Sequence, residues 1–148
     1  MTAEATLYER VGGEAGGESF FTELVGRFYD AVATDDVLLP LYPEQPDLTG
    51  ARRRLTLFLL QYWGGPTTYS DERGHPRLRM RHLPFRVGPA ERDRWLLLMG
   101  DAVSATVAGR DLPAEIADEL MAYFRPAAEH LRNDTGLPIT STGFRRGD

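Results

Sequence analysis

The sequence predicts an all-α domain. Apolar residues recur at steps of three and four along most of the chain. No stretch alternates apolar and polar residues as a half-buried strand would. Gly and Pro clusters cut the apolar pattern into segments of helix length.

The elements follow in order. A short helix precedes Gly12-Gly13, and Gly12-Gly13-Glu14-Ala15-Gly16-Gly17 has the composition of a flexible connection. Phe21, Leu24, Val25, Phe28 and Val32 then predict an amphipathic helix over about 19–34. Asp35-Asp36 break it, and Pro40, Pro43 and Pro46 mark an irregular connection. From about Leu48 to Tyr62, Ala51, Leu55, Phe58 and Tyr62 share one helical face, and Gly64-Gly65-Pro66 ends that helix. Residues 66–76 are rich in Gly, Pro and polar side chains, which predicts a loop. A short helix is expected at about 77–81, before Pro84. Gly88-Pro89 starts the next helix, with Pro in the favoured first position and Trp95, Met99, Ala102 and Thr106 on one face. Asp111-Leu112-Pro113 starts the last, whose stripe holds Ile116, Leu120, Phe124, Ala127 and Leu131. Pro126 lies inside it and is expected to kink it or free a carbonyl. The folded domain is expected over 1–132, with a disordered Gly, Thr, Ser, Pro and Arg tail over 133–148.

Composition narrows the chemistry. At 148 residues, 42% hydrophobic and 26% charged, the chain suits one soluble globular domain. It has no cysteine, which removes disulfides, thiolate nucleophiles and Cys-based metal sites and fits a cytoplasmic location. All 17 basic residues are arginine, so every cation can clamp a carboxylate in two-pronged fashion. The net charge of −5 argues against general nucleic-acid binding. No signal peptide is visible, and the apolar runs near Leu57–Leu60 and Trp95–Met99 are too short for a bilayer.

The densest chemistry lies in Gly74–Phe85. Two of the three histidines, His75 and His82, fall here among Arg77, Arg79 and Arg81, and no acid intervenes between Arg73 and Ala90. An imidazole beside guanidiniums and apolar side chains suits a flat, anionic, metal-bearing ligand. Haem has that character: an iron needing a nitrogen donor, an apolar ring and two carboxylates.

The chain resembles the group II (O type) truncated haemoglobins of bacteria, over roughly residues 6–132. The carrying motifs are Gly12-Gly13, Arg27-Phe28-Tyr29, Leu41-Tyr42-Pro43, Gln61-Tyr62-Trp63-Gly64-Gly65-Pro66 and Tyr69. They continue with Gly74-His75-Pro76, Arg79-Met80-Arg81-His82-Leu83-Pro84-Phe85 and Trp95. The resemblance implies two antiparallel helix pairs sandwiching haem b (iron protoporphyrin IX), with His82 as the metal ligand. It implies a distal side made by Tyr29, Tyr42 and Trp95, with Ala51 at the position that holds histidine in many globins. Leu55 would face the ligand, and Phe58, Leu78 and Phe85 would wall the ring. Arg54, Arg81 and Tyr69 would approach the propionates. The stretch Glu14–Ser19 looks longer than the usual pattern.

Alternatives remain at each residue. An isolated His82 would serve equally as a capping residue, and His75, between Gly74 and Pro76, suits a structural loop role. His130 falls on the last helix beside its apolar stripe. The three distal aromatics could be ordinary core, although a buried Tyr or Trp still needs a partner for its polar atom. Arg52, Arg53, Arg77 and Arg79 suit a solvated face.

Three functions follow. The first is reversible binding and transport of oxygen or other diatomic ligands. The second is a haem-dependent redox enzyme, either peroxidase-like or a nitric oxide dioxygenase, served by a reductase. The third is a haem-free module using the Arg cluster on an acidic partner. A homodimer or higher homo-oligomer is compatible with each.

Overall fold

The computed structural model describes residues 5–42, 47–73 and 87–130. Every regular element among them is helical. His75, Leu78, Arg81, His82 and Phe85, the short helix expected at 77–81 and the tail over 133–148 lie outside the described residues.

Helix α1, Leu7–Arg10, opens on Thr6. The Glu9 N–H donates to the Thr6 hydroxyl at 3.1 Å, and the Thr6 N–H donates to the Glu9 carboxylate at 2.9 Å. That reciprocal cap satisfies two donors that a helix start otherwise leaves over.

Helix α2 runs from Gly13 to Val32, so the glycine-rich stretch read as a flexible connection is helix instead. Packing overrides glycine's helix penalty of about 1 kcal/mol. A Cβ on Gly17 would lie 2.5 Å from the Tyr8 ring, so the missing side chain lets α1 lie against α2. Gly12 makes the bend between them at φ +135°, and a Cβ there would fall 2.6 Å from the backbone of Gly16. Gly12→Ala should therefore cost about 1–3 kcal/mol, read as a lower melting temperature. An unchanged Tm would contradict it. The rest of α2 follows its apolar spacing, burying Phe20, Phe21, Leu24, Val25, Phe28, Tyr29 and Val32.

Asp35 ends this run by capping the next turn. Its carboxylate accepts from the Val37 and Leu38 N–H groups at 3.1 and 2.9 Å. A 3-10 turn over Leu39–Leu41 then delivers Tyr42 to the core in an extended conformation.

Helix α3, Thr49–Tyr62, buries Ala51, Phe58, Leu59 and Leu60. Helix α4, Thr68–Arg73, occupies the stretch read as a loop. The Gln61 side chain holds it, donating to the Ser70 hydroxyl at 2.7 Å and accepting from the Ser70 N–H at 3.0 Å. Tyr69 is its apolar anchor, 1% exposed. A long-range contact thus makes helix where local composition favours none.

Helix α5, Pro89–Gly109, starts as its Gly-Pro pair predicts, with the Glu91 carboxylate accepting the Gly88 N–H at 2.8 Å. Helix α6, Ala114–His130, runs on through Pro126, which, lacking an N–H, frees the Ala122 carbonyl as expected. Pro126 and Ala122 are both exposed, which leaves the displaced carbonyl to water at little cost. Arg110, after α5, donates to Glu23 and Ser19 of α2, both at 2.9 Å. Helix α2 packs on α3, α5 packs on α6, and α2 also packs on α5. These are the two helix pairs of a two-over-two fold. Among the described residues no helix is long and apolar enough to cross a membrane.

Candidate haem pocket

Three segments of the chain bring one polar group each to a common point. Tyr29 comes from the last turn of α2, Tyr42 from the connection after it and Trp95 from α5. Tyr29 and Tyr42 are buried, with ring centroids 5.4 Å apart in an edge-to-face arrangement. The Tyr42 hydroxyl is hydrogen-bonded to the Tyr29 hydroxyl and to the Trp95 indole, whose N–H can only donate. The Trp95 ring is bracketed by Phe28 at 5.2 Å and Phe124 at 5.6 Å, so its N–H is aimed by packing.

This environment sets the protonation states. Burial pushes the Tyr42 phenol up to about 12, against its two hydrogen bonds. Burial also pushes Tyr29 well above the ordinary tyrosine range, and Tyr42 beside it adds to the rise. Both hydroxyls therefore keep their protons near neutral pH and remain donors. The positive charges of Arg54 and Arg52 partly offset the shift at Tyr29, placing both guanidiniums within electrostatic reach of the pair.

The α3 face supplies apolar surface. Ala51 and Phe58 are buried and Leu55 is half-buried. With Ala51 in place, that turn brings no polar group. Phe58 meets Tyr69 edge-to-face at 5.4 Å, so Tyr69 sits in the core beside it. On the outer side of Tyr42 and Trp95 a cleft opens, walled by Leu38, Leu41, Val87 and Ala128, with Glu91 and Arg92 at its edge. Arg52 and Arg53, read as solvated, form ion pairs with Asp30 at 2.9 Å and Glu72 at 2.6 Å. His130 is exposed at the end of α6.

Of the twelve residues proposed for the site, eight are described: Tyr29, Tyr42, Ala51, Arg54, Leu55, Phe58, Tyr69 and Trp95. Tyr29, Tyr42 and Trp95 come together. Phe28 and Phe124 were legible as core stripe only; their role in holding Trp95 needs the packing of α2 and α6 on α5. Two phenols and an indole meeting at one oxygen, within apolar walls and with a guanidinium close by, suit a ring whose ligand is small and electron-rich and whose edge is anionic. The donor set fits haem.

Comparison with known proteins agrees. The bacterial-like globin family matches residues 6–130. The group 2 truncated hemoglobin YjbI of Bacillus subtilis is 41% identical over 122 residues, covering 82% of this chain and 88% of the relative. The structure of a thermostable hemoglobin from Thermobifida fusca is 53% identical with a TM-score of 0.77, covering 88% of this chain and 98% of that one. The truncated oxygen-avid haemoglobin of Bacillus subtilis is 38% identical with a TM-score of 0.72, covering 86% and 99%. The helix order, the two-over-two packing and these matches together make the chain a haem globin, a member of the group II truncated haemoglobins.

Proposed function

We propose that this globin binds oxygen and other diatomic ligands reversibly at haem b, with His82 as the iron ligand and Tyr29, Tyr42 and Trp95 as the distal hydrogen-bond network. The observation that carries the reading is the buried Tyr42 hydroxyl, hydrogen-bonded to both Tyr29 and Trp95 inside an apolar pocket. The name of one similar protein, an oxygen-avid haemoglobin, points the same way.

Haem, when bound, supplies an iron centre that takes the gas and draws negative charge onto it. The chain's own residues do the rest. In this reading Tyr29 and Trp95 both donate to the Tyr42 oxygen, which leaves the Tyr42 proton for the ligand. Burial keeps it protonated in that role. The single Trp95 N–H, held by Phe28 and Phe124, is spent on the Tyr42 oxygen and so orients that hydroxyl toward the ligand. Ala51 leaves room for the gas and adds no competing group. Leu55, Phe58, Leu78 and Phe85 would wall the ring, while Arg54, Arg81 and Tyr69 would hold its carboxylates. Guanidinium–carboxylate pairing is the strong form of such a contact.

A hydrogen bond to a charged acceptor contributes about 1.5–3 kcal/mol, which is roughly ten- to a hundredfold in a dissociation rate. Tyr42→Phe and Trp95→Phe should each speed oxygen release by that order. Stopped-flow displacement of oxygen from the reduced protein measures this. Wild-type release in the double variant would remove the network from the mechanism.

A further inference from the structure

The motif Gln61-Tyr62-Trp63 plays no part in the pocket, yet its two aromatic rings sit at the head of a continuous aromatic run. Trp95, beside the Tyr42 hydroxyl, lies 5.6 Å from Phe124 between ring centroids. Phe124 lies 5.9 Å from Trp63 and 5.4 Å from Tyr123, Trp63 lies 5.1 Å from Tyr123, and Tyr123 lies 4.3 Å from Tyr62. Trp63 also meets Tyr62 directly at 5.0 Å. The run begins at the pocket and ends in solvent, since Tyr62 is 52% exposed. Core packing accounts for Phe124 and Trp63. It does not account for a half-exposed phenol lying 4.3 Å from a second phenol.

Indole and phenol side chains can be oxidised by one electron, and rings in van der Waals contact pass electrons efficiently. Phe124 is not itself oxidised; it is the contact that couples the two indoles. We propose that Trp95, Phe124, Trp63 and Tyr123 form an electron relay, and that Tyr62 is a surface oxidation site for phenolic reductants too bulky to enter the pocket.

The chemistry balances with hydrogen peroxide as oxidant. Its O–O bond breaks, and it takes up two electrons and two protons to leave two waters. The electrons come one at a time along the relay from Tyr62, whose exposed hydroxyl gives its proton to water. Each resulting phenoxyl takes a hydrogen atom from a phenolic reductant, which restores Tyr62 and releases the reductant as its own radical. Without reductant, the Tyr62 and Tyr123 phenols each lose one hydrogen and join by a ring–ring bond, again with two waters formed per peroxide. Tyr123 is the inner member: burial and the adjacent Tyr62 push it up to about 12, so its proton is held more tightly.

The proposal rests on the haem reading for the place where peroxide is reduced, and the test separates the two. Purified holoprotein is first checked for its Soret band, then treated with hydrogen peroxide alone, with a nitroso spin trap or with a bulky phenol. Mass spectrometry maps the products. The expected result is a Tyr62–Tyr123 cross-linked peptide lacking two hydrogens, and a trap adduct on Tyr62. Both are suppressed by the phenol and absent from peroxide-treated apoprotein. Tyr62→Phe should lose the cross-link and oxidation of the bulky phenol while keeping the Soret band. Trp63→Phe leaves only the direct Phe124–Tyr123 contact and should lower the Tyr62 adduct, while Phe124→Leu cuts both branches and should lose most of it. Phe124→Leu, which breaks the coupling without touching an oxidisable ring, guards against misfolding of the first variant. A protein that takes up no haem overturns both readings. A Soret-positive protein with no product at Tyr62 or Tyr123 overturns the relay alone. So does a full adduct in Trp63→Phe and Phe124→Leu, or an equal adduct in the apoprotein.

Discussion

Phe28→Ala is expected to destabilise the domain by about 3–5 kcal/mol, the usual cost of removing a buried phenyl ring. Phe28 is 0% exposed and lies at the centre of the core. Its ring is 5.0 Å from Tyr29 and 5.2 Å from Trp95. The cavity would open directly beneath two of the three donors, so the loss has two parts. One is stability: a domain of this kind has about 5–15 kcal/mol in total, and this change consumes a large share of it. The other is aim, because Trp95 would then be held on one side only, by Phe124. Urea unfolding of the variant and wild type, with and without haem, measures the first part. Oxygen release measures the second. A midpoint within experimental scatter of wild type would show that the α2–α5 contact does not depend on this ring. Phe28→Leu keeps most of the volume and should cost much less. The pair of variants thus separates lost packing from lost hydrophobicity.

What could be read without coordinates was the periodic part. The stripe Phe21, Leu24, Val25, Phe28 and Val32 is buried as its spacing requires, and Gly88-Pro89 starts α5 where Pro favours a helix. The failures have a common cause. Gly16-Gly17 and the Thr68–Arg73 stretch have poor local helix propensity, and local propensity was the only information there. Their helicity comes from partners distant in sequence: the Tyr8 ring over Gly17, and the Gln61 side chain on Ser70. The freed carbonyl at Pro126 was legible, and the helix continues past it because a local defect on a solvent-facing turn asks little of the fold. Within the pocket, Tyr29, Tyr42 and Trp95 were singled out through the family resemblance. Nothing in their spacing brings residues 29, 42 and 95 together. What joins them is the Asp35-capped turn and the packing of α2 on α5. Phe124 was visible as a core residue, but its place between two tryptophans depends on how α6 lies across the bundle.

His82→Ala should abolish the native iron coordination, with loss or displacement of the Soret band on haem supplementation, whereas His75→Ala should keep both. The argument is chemical. Iron takes the neutral imidazole nitrogen, and the other nitrogen must be held by a hydrogen bond that fixes the ring's orientation. Alanine at 82 would remove the proposed donor and the volume of its imidazole. Free imidazole added to the His82→Ala protein should therefore restore a wild-type-like spectrum, which a general folding defect would not allow. It should not alter His75→Ala. His130 is no competitor, being exposed at the end of α6. If His75→Ala lost the band and His82→Ala kept it, the ligand would be His75, and the propionate role given to Arg81 by adjacency would fall with the assignment. The distal reading would survive that reversal. Tyr42, Tyr29 and Trp95 meet through contacts of their own, and their effect on oxygen release is measured independently of which histidine lies across the ring.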